Sequence, residues 1–234
     1  MSELTERQAE LKSLAERAGE ELEEASALDI LRWAAETFGD RLAVTSSMEE
    51  TVLAHLASAA SPGVDVVFLD TGYHFAETIG TRDAAEAVYK ITLINVTPRL
   101  TVAEQDAEYG PRLYERDPNL CCAMRKVEPL ERTLAGYEAW VTGIRRDQAP
   151  TRANTKVVEW DAKRNMVKIN PIARWTQDDV DAYAAENGLL VNPLMQDGYT
   201  SIGCAPCTRR PEPGTDPRSG RWSGTGKVEC GLHG

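Results

Sequence analysis

At 234 residues, 42% of them hydrophobic, the chain is long enough for one sizeable domain, or one with a small appendage, around a proper core. A net charge of −11 speaks against the broad basic face that nucleic-acid binding needs, and no apolar run approaches the length of a membrane span. The first stretch, MSELTERQAELKSLAERAGEELEEAS, is mostly acidic and lacks an apolar centre, so it is neither a signal nor a transit peptide and a cytoplasmic location is expected.

Residues 1–40 read as two helices: Leu4, Leu11 and Leu14 recur at roughly helical spacing, and LDILRWAAETF follows with its own apolar face. RLAVTSS (41–47) is a short strand, followed by the helical MEETVLAHLASAA (48–60). VDVVFLD (64–70) is a second strand, closed by Thr71 and Gly72, and leads into the helix FAETIGTRDAAEAVYK (75–90). ITLINV (91–96) is a third strand. NLCCAMRKVEPLERTLAG (119–136) is helical, with Pro129 set to kink or end it, and EAWVTGI (138–144) is a fourth strand. Past Asn192 the helical pattern stops and Pro and Gly dominate. The expected organisation is N-terminal helices (1–40), an α/β core (41–200) and a C-terminal region (201–234) ending in a flexible tail, all within one structural domain.

Strands that alternate with helices imply βαβ units and a doubly wound, mostly parallel, Rossmann-like sheet. Such sheets bind ligands at the carboxyl ends of their strands. The polar clusters TSSMEE, LDTGYHF and TGIRRDQ fall at three of those ends, so a site at one sheet edge is the better reading than three ordinary turns. A local basic patch in TRRPEPGTDPRSGRWSGTGK is suited to a small anionic ligand despite the overall acidity.

Five cysteines in a reducing compartment read as ligands or nucleophiles before disulfides. Cys121 and Cys122 are adjacent, and Cys204 and Cys207 form a CxxC in GCAPC. Together they offer four soft ligands, for a tetrahedral zinc or for a 4Fe–4S cluster. Count alone favours zinc and the adjacent pair favours the cluster; spacing does not decide. DPNLCC suggests a helix beginning near Asn119, whose first-turn N–H groups and dipole would favour thiolates. Arg125 and Lys126 lie four residues after Cys121 and Cys122, at a spacing suited to compensating their charge. The fifth cysteine, Cys230, stands almost at the end of the tail, where no packed element would bury it.

CCAMRK (Cys121 to Lys126), GCAPCTR (Gly203 to Arg209) and the terminal ECGLH (Glu229 to His233), with LDTGYHFAET, TGIRRDQAPTR, NPIARWT and DPRSGRW in the same order, resemble the bacterial assimilatory sulfonucleotide reductases, specifically their iron–sulfur adenylyl-sulfate (APS) reductases. The resemblance runs from about Arg41 to the end and implies an adenine nucleotide alpha-hydrolase-like fold. It implies reduction of the sulfate group of APS to sulfite with release of AMP, in sulfate assimilation and cysteine biosynthesis. It further implies that Cys121, Cys122, Cys204 and Cys207 hold one 4Fe–4S cluster that supports the site and is not the electron donor, and that Cys230 is the nucleophile. An external dithiol, thioredoxin or glutaredoxin, is then the expected reductant, because no cysteine remains in the chain to resolve a modified Cys230. A homo-oligomer is compatible with the sequence.

By the same resemblance Lys126, Arg218 and Arg221 bind the phosphate–sulfate end, with Arg145 and Arg152 contributing. Ser46 and Ser47 resemble the remnant of a phosphate-binding loop, and Gly72 and Gly143 would let backbone approach the nucleotide. Trp222 would pack on the tail or the ligand, and His233 would favour or orient the Cys230 thiolate as a cationic neighbour. Relatives often carry Asp where this chain has Glu50, and SSMEE lacks the glycines of a typical phosphate loop. That lack counts against an ATP pyrophosphatase. The alternatives are a PAPS (3′-phospho-APS) reductase and, further off, a zinc-stabilised nucleotide-binding module without catalysis.

Overall fold

The computed structural model describes residues 5–223, 225, 227 and 229–233; Leu4 lies outside them. Two capped helices open the fold. Thr5 and Gln8 form a reciprocal capping box on α1 (Glu6–Glu21), and Ser26 caps α2 (Ala27–Phe38). Alternating strands and helices follow: β1 (Leu42–Thr45), α3 (Val52–Ala60), β2 (Val64–Leu69), α4 (Ala76–Val88), β3 (Ile91–Val96) and α5 (Val102–Tyr109). Three short helices, α6 (Leu113–Arg116), α7 (Pro118–Cys122) and α8 (Glu128–Leu134), lead to β4 (Ala139–Val141). The hairpin β5 (Val158–Asp161) and β6 (Met166–Ile169), then α9 (Gln177–Glu186) and α10 (Pro193–Gln196), complete the elements.

The six strands lie in the order β3-β2-β1-β4-β6-β5, parallel except for β5, which runs antiparallel to β6. Side-chain alternation along the strands fills two layers. Val44 and Val66 join α1, α2, α3 and α9 in the larger core. Ala43, Val67 and Trp140 pack with Leu130 and Leu134 of α8 in the smaller one. The sheet is thus covered on both faces, as a doubly wound fold requires. From β1 the chain winds outward through β2 and β3, then returns to place β4 on the other side of β1. The crevice above β1 and β4 is therefore the point where strand order reverses, and where such sheets bind ligands.

Three sequence expectations are corrected. The hairpin of β5 and β6 adds two strands to the four expected, with Asn165 at φ 52° in its turn. Pro129 does not end the helical stretch: it falls in the first turn of α8, which runs on to Leu134. The π-helical turn Ala123–Val127 joins α7 to α8, and at the start of α8 the proline's missing N–H costs no hydrogen bond. The helix expected from Met48 begins only at Val52, leaving residues 46–51 as a loop at the end of β1. No described helix is long and apolar enough to cross a membrane.

Candidate active site

The crevice over β1 and β4 opens into a cavity of about 490 Å³, lined by Ser46, Ser47 and Gly143 just past the strand ends and by Lys126, Arg218 and Arg221. Ser46 Oγ accepts the Met48 N–H at 3.3 Å, turning the loop after β1. Met48 itself is fully buried with φ 55°, a left-handed conformation usually left to glycine. The side chain locked into the core holds the turn that a phosphate loop makes with glycine. This is how SSMEE closes without one.

Cys230 lines this cavity, and the tail that carries it is held from several sides. Glu229 takes a two-pronged pair from Arg152, Nε to Oε1 at 2.8 Å and Nη2 to Oε2 at 2.7 Å, and a further contact from Arg218 at 3.3 Å. Burial works against the Glu229 charge, but the hydrogen bonds of Arg152 and the field of Arg218 outweigh it and hold the carboxyl below its usual range. Leu232 packs on the smaller core, and the His233 ring stacks on Trp140 with centroids 5.7 Å apart. The expectation of a cationic His233 is corrected. Burial, reinforced by Lys168, Arg152, Arg164 and Arg218, pushes its pKa well below the ordinary value, so the imidazole is neutral. The tail is docked in this state rather than loose.

The remaining cations divide by what already engages them. Arg221 lies over the Trp222 ring at 4.7 Å and donates to Ser201 Oγ at 3.1 Å and to the Ile202 carbonyl at 3.2 Å, leaving its buried Nε without a partner among the described residues. Gly203 makes room for it: a Cβ there would sit 2.2 Å from Arg221 Nη2. Arg145 lines the cavity but is paired with Asp147 at 3.1 Å and Gln177 at 2.6 Å. Arg125 lies off this cavity, on the wall of the neighbouring cysteine cavity, buried and donating to the Thr71 carbonyl and, at 2.9 Å, to Gln105 Oε1. Gly72 is not on the cavity wall. It has φ 72°, and a Cβ would meet Arg125 Nη2 and Val102 at 3.1 Å, so this glycine admits an arginine rather than a nucleotide.

Cys121, Cys122, Cys204 and Cys207 face a second, small cavity, walled by Tyr73, Tyr114, Arg125, Lys126 and Trp222 among others. All five cysteines are free thiols. Burial, with the crowding of the other three thiols, pushes Cys121 up to about 12, and burial with Cys204 pushes Cys207 up to about 11. Buried thiols of this kind are poor nucleophiles. The N–H groups expected to serve these thiols are already taken: Leu120 N donates to the Asp117 cap at 2.9 Å and Cys121 N to the Asp117 carbonyl at 3.0 Å. Charge near the sulfurs comes instead from Lys126 beside Cys122 and Arg125 beside Cys121. Burial opposes the Lys126 charge, but Cys204, Cys230 and Cys122 raise its pKa beyond the usual value. Lys126 and Trp222 line both cavities and so form the wall between the cysteine cluster and the strand-end site.

Sequence reasoning did not single out Glu229, Trp140, Arg164 or the half-buried Glu49, which accepts the Ile202 N–H at 3.0 Å. Trp140 reads as core within EAWVTGI. Arg164 sits in a hairpin whose signal was available in VVEWDAKRNMVKI, two alternating runs around a polar turn.

Residues 41–210 match the phosphoadenosine phosphosulfate reductase domain. The adenosine 5′-phosphosulfate reductase of Streptomyces coelicolor is 71% identical over 225 residues, covering 96% of this chain and 95% of the relative. That of Mycolicibacterium smegmatis is 60% identical, covering 96% and 95%. Among solved structures, the phosphoadenylyl-sulfate (PAPS) reductase of Candida auris in a phosphate complex aligns with a TM-score of 0.75 at 30% identity, covering 89% of this chain and 99% of that one. With the doubly wound sheet and the strand-end cavity, these matches place the chain in the APS/PAPS, or sulfonucleotide, reductase family.

Proposed function

We propose that this chain reduces adenosine 5′-phosphosulfate to sulfite and AMP, in the cytoplasm, with Cys230 as its nucleophile. The observation that carries the reading is that Cys230 opens into the same cavity as Lys126, Arg218 and Arg221. The names of the relatives support the substrate. The Cys230 thiolate attacks the sulfur of the sulfate group; a sulfur–sulfur bond forms, the bond from that sulfur to the bridging oxygen breaks, and AMP leaves with the electron pair. Lys126, Arg218 and Arg221 offset the charge that grows on the phosphate and sulfonate oxygens, with Arg152 and Arg145 behind them. Ser46, Ser47 and Gly143 bound the crevice where the nucleotide lies, and Trp222 closes one wall. An external dithiol, thioredoxin or glutaredoxin, then attacks the Cys230 sulfur and expels sulfite. Its second thiol resolves the mixed disulfide, so that the dithiol supplies the two electrons.

Cys121, Cys122, Cys204 and Cys207 are the residues that would hold a 4Fe–4S cluster. Four free thiols around one common cavity suit a cluster. When bound, the cluster supplies a fixed charge and a covalent tie between α7 and the CxxC turn. Lys126, on the shared wall, is the side chain that would feel that charge and the substrate together. The test is turnover of anaerobically purified protein with thioredoxin. Sulfite from APS is expected. Sulfite from PAPS alone would reassign the substrate, and sulfite from neither would overturn the reading.

A further inference from the structure

The turn of the β5–β6 hairpin reaches the catalytic tail. Arg164 donates through Nη2 to the Leu232 carbonyl at 2.9 Å while Nη1 pairs with Asp161 at 2.8 Å. Its guanidinium carbon lies 5.0 Å from the ring centroid of Trp140, the ring on which His233 stacks. The side chains of Arg164 and Asp161 are 6% and 8% exposed, so this is a buried fitting and not a surface pair. Lys163 adds a longer contact, 3.4 Å, to the Gly231 carbonyl. Both contacts fall on backbone carbonyls immediately after Cys230. They therefore fix the path of the chain at the nucleophile whatever side chains the tail carries.

We propose that Arg164 is a positioning residue for the tail: its fork joins Asp161, Trp140 and the Leu232 carbonyl into a dock that holds Cys230 over the cavity. The inference rests on the reading of Cys230 as nucleophile. Sulfonation of Cys230 needs the docked tail, whereas attack on its sulfur by an external dithiol needs the tail released. Arg164 thus sets the balance between the two half-reactions. Loosening the dock slows the first and speeds the second, an opposed response that general damage to the fold does not give.

Arg164→Lys keeps a cation beside Asp161 but loses the planar fork. In the ligand-free holoenzyme, amide hydrogen exchange in residues 229–233 is expected to rise about tenfold. The single-turnover rate of S-sulfonation at saturating nucleotide is expected to fall about tenfold, and release of sulfite from the isolated S-sulfonated enzyme by dithiothreitol to rise. Lys163→Ala, an exposed site, is expected to move all three the same way by a smaller factor, and decides the matter if the Arg164 variant does not fold. Unchanged tail exchange, or both half-reactions slowed together, would overturn the proposal. If the wild-type enzyme acquires no sulfonate, the reading of Cys230 fails instead, and the exchange measurement still judges the dock.

Discussion

Two adjacent carboxylates, Glu49 and Glu50, sit at the mouth of α3 beside the cavity. Burial first, and the neighbouring Glu49 second, push the Glu50 carboxyl up from 4.5 to about 7, and burial pushes Glu49 in the same direction. The folded protein therefore holds protons that the unfolded chain has already released between pH 4.5 and about 7. Its stability is fullest below pH 4.5 on this account and is lost as pH rises through 7. A displacement of that size corresponds to about 3 kcal/mol, which the half-buried position and solvent screening reduce to about 2 kcal/mol. Glu50→Gln removes the titration while keeping the shape. At pH 8 the variant is expected to melt roughly 4–8 °C above the wild type in ligand-free protein, and at pH 5 to melt close to it. Differential scanning calorimetry at a series of pH values gives the comparison. A variant that is no more stable at pH 8, or equally stabilised at both pH values, would refute the reasoning.

Other residues give sharp expectations. Glu229→Gln removes the charge that Arg152 and Arg218 hold, at a cost of about 2 kcal/mol to the docked tail, so alkylation of Cys230 by iodoacetamide, followed by peptide mass mapping, should accelerate about tenfold or more. Gly203→Ala drives a methyl group to 2.2 Å from Arg221 Nη2, and the displaced guanidinium should cost at least about tenfold in kcat/KM. Anaerobically purified protein should be brown and contain four irons per chain if the four cysteines hold a 4Fe–4S cluster, and Cys121→Ser should lose both; zinc in place of iron would contradict the assignment.

Much of the fold was legible because periodicity changes cleanly at the strand ends: VDVVFLD and ITLINV are β2 and β3 with the expected order of helices between them. The β5–β6 hairpin escaped because its strands are four residues each and carry charges, Glu159, Asp161 and Lys168, that find their partners only once the hairpin forms: Glu159 pairs with Lys168 across the strands and Asp161 with Arg164 of the turn. The cysteine pairs and the terminal motif announced themselves through residue type and order. What sequence could not show is how tertiary contacts reassign the side chains around them. Arg125, four residues from Cys121, stays on the wall of the cysteine cavity but is anchored there by the Thr71 carbonyl and Gln105; Gly72 makes room for that arginine; and His233, buried among cations, stays neutral. Met48 is the converse case, where core packing forces a backbone conformation that residue type argues against.

The central claim is that Cys230 attacks the sulfur of the nucleotide. Intact mass spectrometry of the holoenzyme, incubated with APS and no reductant, tests it most directly. The account predicts a mass gain of one SO3 group, mapped to Cys230, released as sulfite by a dithiol and absent from Cys230→Ser. A holoenzyme that consumes APS with no adduct on Cys230, or a Cys230→Ser variant that still forms one, would contradict it.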